Sequence, residues 1–378
     1  MEQPLQGIRI LDLTRLAPGP YASSALANLG AEVIKIERPR FGDPLRYVSR
    51  FGVDGGAAMF ELLNRNKKSM TLNLRAPEGR GILQELAQRA DVLLEGFRPG
   101  VMKRLGLDYE TLAAVNPRLI YASLSGYGQR GPYHLRAGHD LDYIALGGLL
   151  ALTGTKDGPP VIPGVPIADL VGGLWMAFGV VAALLGREHS GRGQYLDIAM
   201  LDSIVALLAI PLAEWLTTGH VPQRGQTWLT GKLACYHVYE TADGGYMALG
   251  ALEPEFWQAF CRAVGRLEWQ ARQYDADQAS LIAEVAALFR TQSRAYWTNL
   301  FATHDCCCEP VLSLDEVFAH PQTVHRQLWH DGNLAMPLDG RETPQSPAPV
   351  LGQHTSEILA ELGYTATDME RLRQKGVI

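Results

Sequence analysis

The chain has 378 residues, 47 % hydrophobic and 20 % charged, which is apolar material for two or three domains at about 150 residues each. A formal net charge of −6 without long like-charged runs argues against a dedicated nucleic-acid binder, which carries a basic patch or stripe. Glycine (39) and proline (22) together fall short of the roughly 25–30 % of a low-complexity chain, which excludes disorder and collagen-like structure.

Met1 to Gly7 carries no basic segment, and the apolar run that follows holds Arg9, Asp12 and Arg15, so no signal peptide is expected. The run Gly7 to Leu13 predicts a strand, and after the Pro18-Gly19-Pro20 turn Pro20 is placed to open a helix through Leu29 that Gly30 ends. Glu32 to Glu37 again predicts a strand. Then come a predicted helix over Pro77 to Arg89, a strand over Asp91 to Leu94, a helix over Tyr109 to Val115 and a strand over Leu119 to Leu124. Strands separated by helix-length segments imply βαβ units, a parallel sheet with helices on its faces, and ligands bound beyond the carboxyl ends of the strands. The first strand is not followed by GxGxxG, so a dinucleotide fingerprint is absent.

Between Gly126 and Gly173 the chain is rich in glycine and proline. Two apolar helices are predicted next, Leu170 to Leu185 and Leu196 to Ala206. The uncharged stretch Leu170 to Gly186 has 17 residues and four glycines, short of the roughly 20 of a membrane span, and reads as a buried core helix. Cys235 to Leu249 alternates around Asp243-Gly244-Gly245, a hairpin signal that puts Tyr236, Val238, Tyr246 and Ala248 on one face. Helical patterns follow over Pro254 to Val264, Ser280 to Thr291 and Arg294 to Thr303, and again over His354 to Leu362. The five cysteines form no CxxC pair, which indicates neither a disulfide framework nor a zinc site and a reduced, cytoplasmic setting; Cys306, Cys307 and Cys308 read as buried, inert thiols.

Four side chains stand out by context. His139 and Asp140 follow Gly138 in a loop, Asp169 lies just before the glycine-rich apolar helix, and Glu253 precedes Pro254 at a helix start. A simple capping role is the common use of an acid at such positions. The basic groups Arg38 with Arg40, Arg65 with Lys67 and Lys68, and Arg98 with Lys103 and Arg104 read singly as solvated charge and jointly as a rim for a phosphate-bearing ligand.

The stretches GIRILDLTRLAPGPYASSALANLGAEVIKIERP, NRNKKSMTLNL, ADVLLEGFRPGVMKRLGL, YASLSGYGQRGP, IADLVGG and SGRGQYLDIAMLD together resemble the class III coenzyme A transferase superfamily, which includes the α-methylacyl-CoA racemases. Gly138-His139-Asp140-Leu141-Asp142-Tyr143 and Gly250 to Phe256 resemble racemase signatures. The resemblance implies an α/β fold: a Rossmann-like large domain with a parallel sheet and a smaller α+β domain, in an intertwined homodimer. It implies a large CoA-binding domain from 1–200 and 316–378, linker helices over 201–224 and a small domain over 225–315. It also implies an acyl-CoA thioester as partner, with no cofactor beyond the substrate's CoA, and no nucleic acid or membrane. Position by position, His139 and Asp169 match the racemase acid/base pair, Glu253 the carboxylate that orients the histidine, and Asp140 the residue near the thioester oxygen. Arg38, Arg65, Lys68 and Arg98 fall in the motifs that bind the CoA nucleotide.

The reaction so implied is racemisation of a 2-methylacyl-CoA by 1,1-proton transfer through an enolate. The alternative is CoA transfer between carboxylic acids through a covalent intermediate at Asp169. Two departures keep that alternative open: Asp142 stands where the racemase string has asparagine, and Gly164 to Asp169 reads more like the transferase form. A non-catalytic acyl-CoA sensor would keep the basic rim and lose His139, Asp169 and Glu253, all of which are present.

Overall fold

The computed structural model describes residues 3–51, 56–330, 332–335, 337 and 346–378. The chain divides into two compact units, 1–147 with 164–207 and 324–378, and 148–163 with 208–323. The second unit thus takes in the glycine- and proline-rich segment 148–163 together with 208–323.

The first unit is built on six parallel strands: β1 (Arg9–Asp12), β2 (Glu32–Glu37), β3 (Lys67–Thr71), β4 (Val92–Glu95), β5 (Ile120–Ser125) and β6 (Tyr195–Ala199), in the order β3-β2-β1-β4-β5-β6. β1, β2, β4 and β5 are almost wholly buried on both faces, as strands covered by helices on both sides must be. One face packs Leu11, Ile34, Met70, Leu93 and Tyr121 with Ile82, Leu86, Ile358 and Leu372. Against the sheet also lie α1 (Pro18–Asn28) and the 24-residue α3 (Ile167–Ser190). Between these two in sequence is α2 (Asp140–Leu146), and α3 is followed, after β6, by α4 (Met200–Ala206).

Two strands differ from expectation. Residues 196–199 are strand, not helix: β6 pairs with β5 from Tyr121↔Tyr195 to Ser125↔Ala199, and only Met200 onward is helical. β3 begins with two lysines, and Lys67, Ser69 and Thr71 face inward, where partners satisfy them. Lys67 Nζ reaches Pro20 O (3.0 Å), Ser23 Oγ (2.8 Å) and Asn64 Oδ1 (3.0 Å), and Ser69 Oγ donates to Glu37 Oε2 (2.6 Å). The free edge of β3 is lined by residues nearly 290 positions later. His354 N donates to Ser69 O (2.9 Å), Ser69 N to His354 Nδ1 (3.1 Å) and Thr71 N to Thr355 Oγ1 (3.0 Å).

α3 is long and apolar enough to cross a membrane. One side of it is packed core, with Ala168, Gly172, Met176, Val180 and Ala183 buried. The other presents Leu174, Trp175, Phe178, Val181 and Leu185 outward, so the expected buried helix has one apolar face uncovered.

The second unit holds an antiparallel sheet of β7 (Tyr236–Glu240), β8 (Tyr246–Gly250) and β9 (Cys308–Pro310), ordered β7-β8-β9. The hairpin turns at Gly244, whose φ of +78° suits glycine. Val238 pairs with Ala248 and Glu240 with Tyr246, so Tyr236, Val238, Ala248 and Tyr246 share a face, the outer one. The inner face, Tyr239, Met247 and Leu249, packs on Trp257, Phe260, Phe289, Trp297 and Phe301. All five cysteines are free; Cys235, Cys261, Cys306 and Cys308 are buried, and Cys307 alone is exposed.

Candidate active site

The strand order changes direction between β1 and β4, the place where open parallel sheets bind ligands. Two clefts lie beyond the carboxyl ends of the strands there, sharing Thr14, Arg15 and Phe97.

The first, about 480 Å³, is walled by the segments after β1, β2 and β3, including Arg15, Arg38, Gly42 and Arg75. Arg38 lies over the Phe41 ring at 4.5 Å and Arg15 over Phe97 at 5.4 Å. Among the described residues none of Arg15, Arg38 and Arg75 is held in an ion pair, so three guanidiniums stand ready for an anion.

Beneath this cleft is a buried ionic framework. Asp12 accepts from Thr14 N (2.9 Å) and from the hydroxyls of Thr14 and Ser23, with Lys67 Nζ at 3.5 Å. Lys35 Nζ pairs with Asp43 Oδ2 (2.9 Å) and donates to Thr14 O (3.1 Å). Asp12 is held below the usual carboxylate range: burial opposes ionisation, but Lys35, Lys67 and the two hydroxyls outweigh it. Burial pulls the Lys67 ammonium down to about 7, against the pull of Asp12. The framework fixes Thr14 and with it the loop that borders both clefts.

The second cleft, about 320 Å³, brings together Arg15, Gly96 to Pro99, Ser125 to Tyr127, His134, Arg136 to His139, Tyr143 and Asp169. Tyr127 stands edge-on to Tyr133 and Tyr143, and Arg136 lies over the Tyr133 ring at 3.8 Å. The Tyr143 hydroxyl donates to Gly138 O (2.6 Å). Gly126 and Gly138 allow that ring in, since a Cβ on either would fall within 2.4 and 2.7 Å of its atoms. Glu95, buried at the end of β4, accepts from Phe97 N (2.7 Å) and from Ser123 Oγ and so holds the 96–99 loop; burial pushes its carboxyl up to about 7.

His139 is the N-cap residue of α2 and exposed to the cleft; its N–H donates to Asp142 Oδ2 (2.9 Å). Asp142 therefore closes the turn at the helix start. Asp169 sits half-buried in the first turn of α3. Its carboxyl is pushed up to about 6, first by burial and next by the charge of Asp140, while His139 acts the other way. Asp140 Oδ1 accepts from Ala168 N (2.6 Å) and Asp169 N (3.1 Å).

The other expected residues fall as follows. Arg38 lines the first cleft and Arg98 the second. Arg65 reaches Glu61 Oε1 (3.2 Å), and Lys68, near the start of β3, pairs with Glu32 (2.9 Å) and Glu357 (2.7 Å); neither is among the residues lining these two clefts. Glu253 is the N-cap residue of Pro254–Ala263 in the second unit. Among the described residues His139, Asp169 and Glu253 are in no ion pair. Arg15, Arg75 and Arg136 were not singled out from sequence. Arg15 follows the predicted first strand, so the strand-end rule applied there finds it; Arg75 follows β3, whose KKSMT lacks the apolar pattern of a strand.

The model of the CoA-transferase family III matches residues 5–355. The alpha-methylacyl-CoA racemase of Homo sapiens is 36 % identical over 387 residues, covering 99 % of this chain and 97 % of that protein. The succinyl-CoA:glutarate CoA-transferase of Mus musculus is 36 % identical over 396 residues, covering 100 % and 90 %. The crystal structure of a CAIB/BAIF family protein from Brucella suis superposes with a TM-score of 0.81 at 32 % identity, covering 96 % of this chain and 100 % of that one. With its parallel-sheet unit, cationic clefts and near-complete match, the chain belongs to the CoA-transferase family III.

Proposed function

We propose that the chain racemises a 2-methylacyl-CoA thioester by 1,1-proton transfer, with His139 and Asp169 as the acid/base pair. The observation that carries this reading is the meeting of the two in one cleft with the Asp169 carboxyl raised to about 6. A carboxyl so poised takes and returns a proton near neutrality, which inversion demands of both partners. One group removes the α-proton, the C–H electron pair moves into the enolate, and the other group delivers a proton to the opposite face. The next substrate is handled in reverse, or the two groups re-equilibrate with water. Arg15, Arg38 and Arg75 suit the phosphates of CoA, and Arg98 borders the thioester end. The uncovered apolar face of α3 supports a homodimer, since contiguous exposed apolar surface of this kind marks an association site.

A transferase reading, with Asp169 attacking the thioester and carrying the acyl group as an anhydride, is favoured by the equal identity to the mouse CoA-transferase. Proton NMR of a 2-methylacyl-CoA with enzyme in deuterated water, without acceptor acid, separates the two. Loss of the α-proton signal together with optical purity, abolished in His139→Ala, is the expected result. A retained α-proton, with CoA passing to an added carboxylate and an acyl group trapped at Asp169 by hydroxylamine, overturns it.

A further inference from the structure

Asp140 occupies the first position of α2, where an acid ordinarily serves its own helix. Here Asp142 takes that duty, accepting the His139 N–H, and the Asp140 carboxylate crosses to another helix. Its Oδ1 accepts both Ala168 N (2.6 Å) and Asp169 N (3.1 Å), 28 and 29 residues away. The N-cap residue of α3 is Pro166, which has no side-chain oxygen to offer these amides. The acceptor that α3 lacks locally is supplied by the residue next to His139. One carboxylate is thus bonded to the backbone of one member of the proposed pair and adjacent in sequence to the other.

We propose that Asp140 is the positioning residue of the pair: by capping the helix of Asp169 from the helix of His139, it sets the separation and orientation of the two reacting groups. The inference rests on the reading of His139 and Asp169 as the proton-transfer pair, and it differs from a role beside the thioester oxygen, since the Asp140 carboxylate is engaged with the α3 amides. Its charge has a second consequence. The groups around Asp169 are His139, Asp140 and Tyr143 on α2 and Arg98 on the loop after β4. Of the other helices packed on α3, α1 carries Tyr21 and α4 carries Asp202. The nearest negative charge, that of Asp140, favours the protonated form of Asp169, so positioning and proton affinity come from the same carboxylate.

The test uses Asp140→Asn, whose amide oxygen still accepts both N–H groups, and Asp140→Ala, which removes the cap. In protein labelled with 13C-aspartate, the Asp169 carboxyl signal, identified by its loss in Asp169→Asn, is titrated alongside steady-state α-proton exchange. In Asp140→Asn the titration midpoint of Asp169 moves down by about one pH unit and the corresponding limb of the kcat profile moves with it. KM stays within about twofold. In Asp140→Ala kcat falls at least tenfold below that of Asp140→Asn. An unmoved midpoint in Asp140→Asn, or a rise in KM with kcat retained, overturns the proposal. Should the wild-type protein exchange no α-proton, the racemase reading fails by itself; the Asp169 midpoint in Asp140→Asn then decides the Asp140–Asp169 coupling on its own.

Discussion

Replacing Asp12 by alanine tests the buried ionic framework most directly. The change strips the Thr14 amide and the Thr14 and Ser23 hydroxyls of their acceptor and leaves Lys67 buried without the carboxylate 3.5 Å away. Lys35 also loses the attraction of Asp12 but keeps Asp43 at 2.9 Å, so among the described residues Lys67 alone is left without an ion-pair partner. Removing one partner of a buried pair costs about 3–5 kcal/mol, and the orphaned Thr14 N–H falls within that range rather than adding to it in full. The loss depends on pH. Burial holds Lys67 at about 7 in the folded chain, below its ordinary 10.5, so protonated Lys67 weighs against folding below about pH 7 and is relieved as the pH rises from there towards 10.5. Asp12 offsets that penalty only while Lys67 is charged, and its removal is therefore more damaging at pH 6 than at pH 9. Urea denaturation followed by far-UV circular dichroism at the two pH values measures both quantities. A variant within about 1 kcal/mol of the wild type at both, or one hurt more at pH 9, refutes the argument.

Arg38→Ala and Arg75→Ala should each weaken binding of a CoA thioester by about tenfold or more, the worth of a charge-assisted contact, with kcat little changed and the loss smaller in high salt; calorimetry checks this. The pH profile of kcat should carry a limb near pH 6, where Asp169 changes protonation state, in both directions of the reaction; a profile flat from about pH 5 to 7 refutes the pair. Glu95→Gln should stabilise the chain by about 1–3 kcal/mol at pH 8 and little at pH 5. The raised carboxyl weakens folding progressively as the pH climbs from 4.5 to about 7, and the amide escapes that penalty while still accepting Phe97 N; thermal unfolding at both pH values reads it.

The alternation of β1, β2, β4 and β5 with helices was legible because those strands are apolar runs bounded by turns, and the ligand edge of the sheet followed from it. β3 was not legible because its inward positions are Lys67, Ser69 and Thr71, whose burial depends on Asp12, Glu37 and Thr355, residues far off in the chain, as well as on nearby Asn64. Lys68, grouped from sequence with the phosphate rim, stands instead near the start of β3 beside Glu32 and Glu357. β6 was read as helix because Leu196 to Ala206 is apolar apart from Asp197, Asp202 and Ser203, and only pairing with β5 shows where strand gives way to helix. His139 and Asp169 were picked out by motif; that they share a cleft is a property of α2 and α3 coming together, which no local pattern carries.

The β3 edge is bridged by His354 and Thr355, with Thr71 and Thr355 284 positions apart. During synthesis at about 5–20 residues per second, that edge stays bare for some 15–60 s while the intervening chain is made. Over that interval β3 is an open template for another nascent chain, and its two leading lysines serve as gatekeepers against such pairing until the late segment arrives.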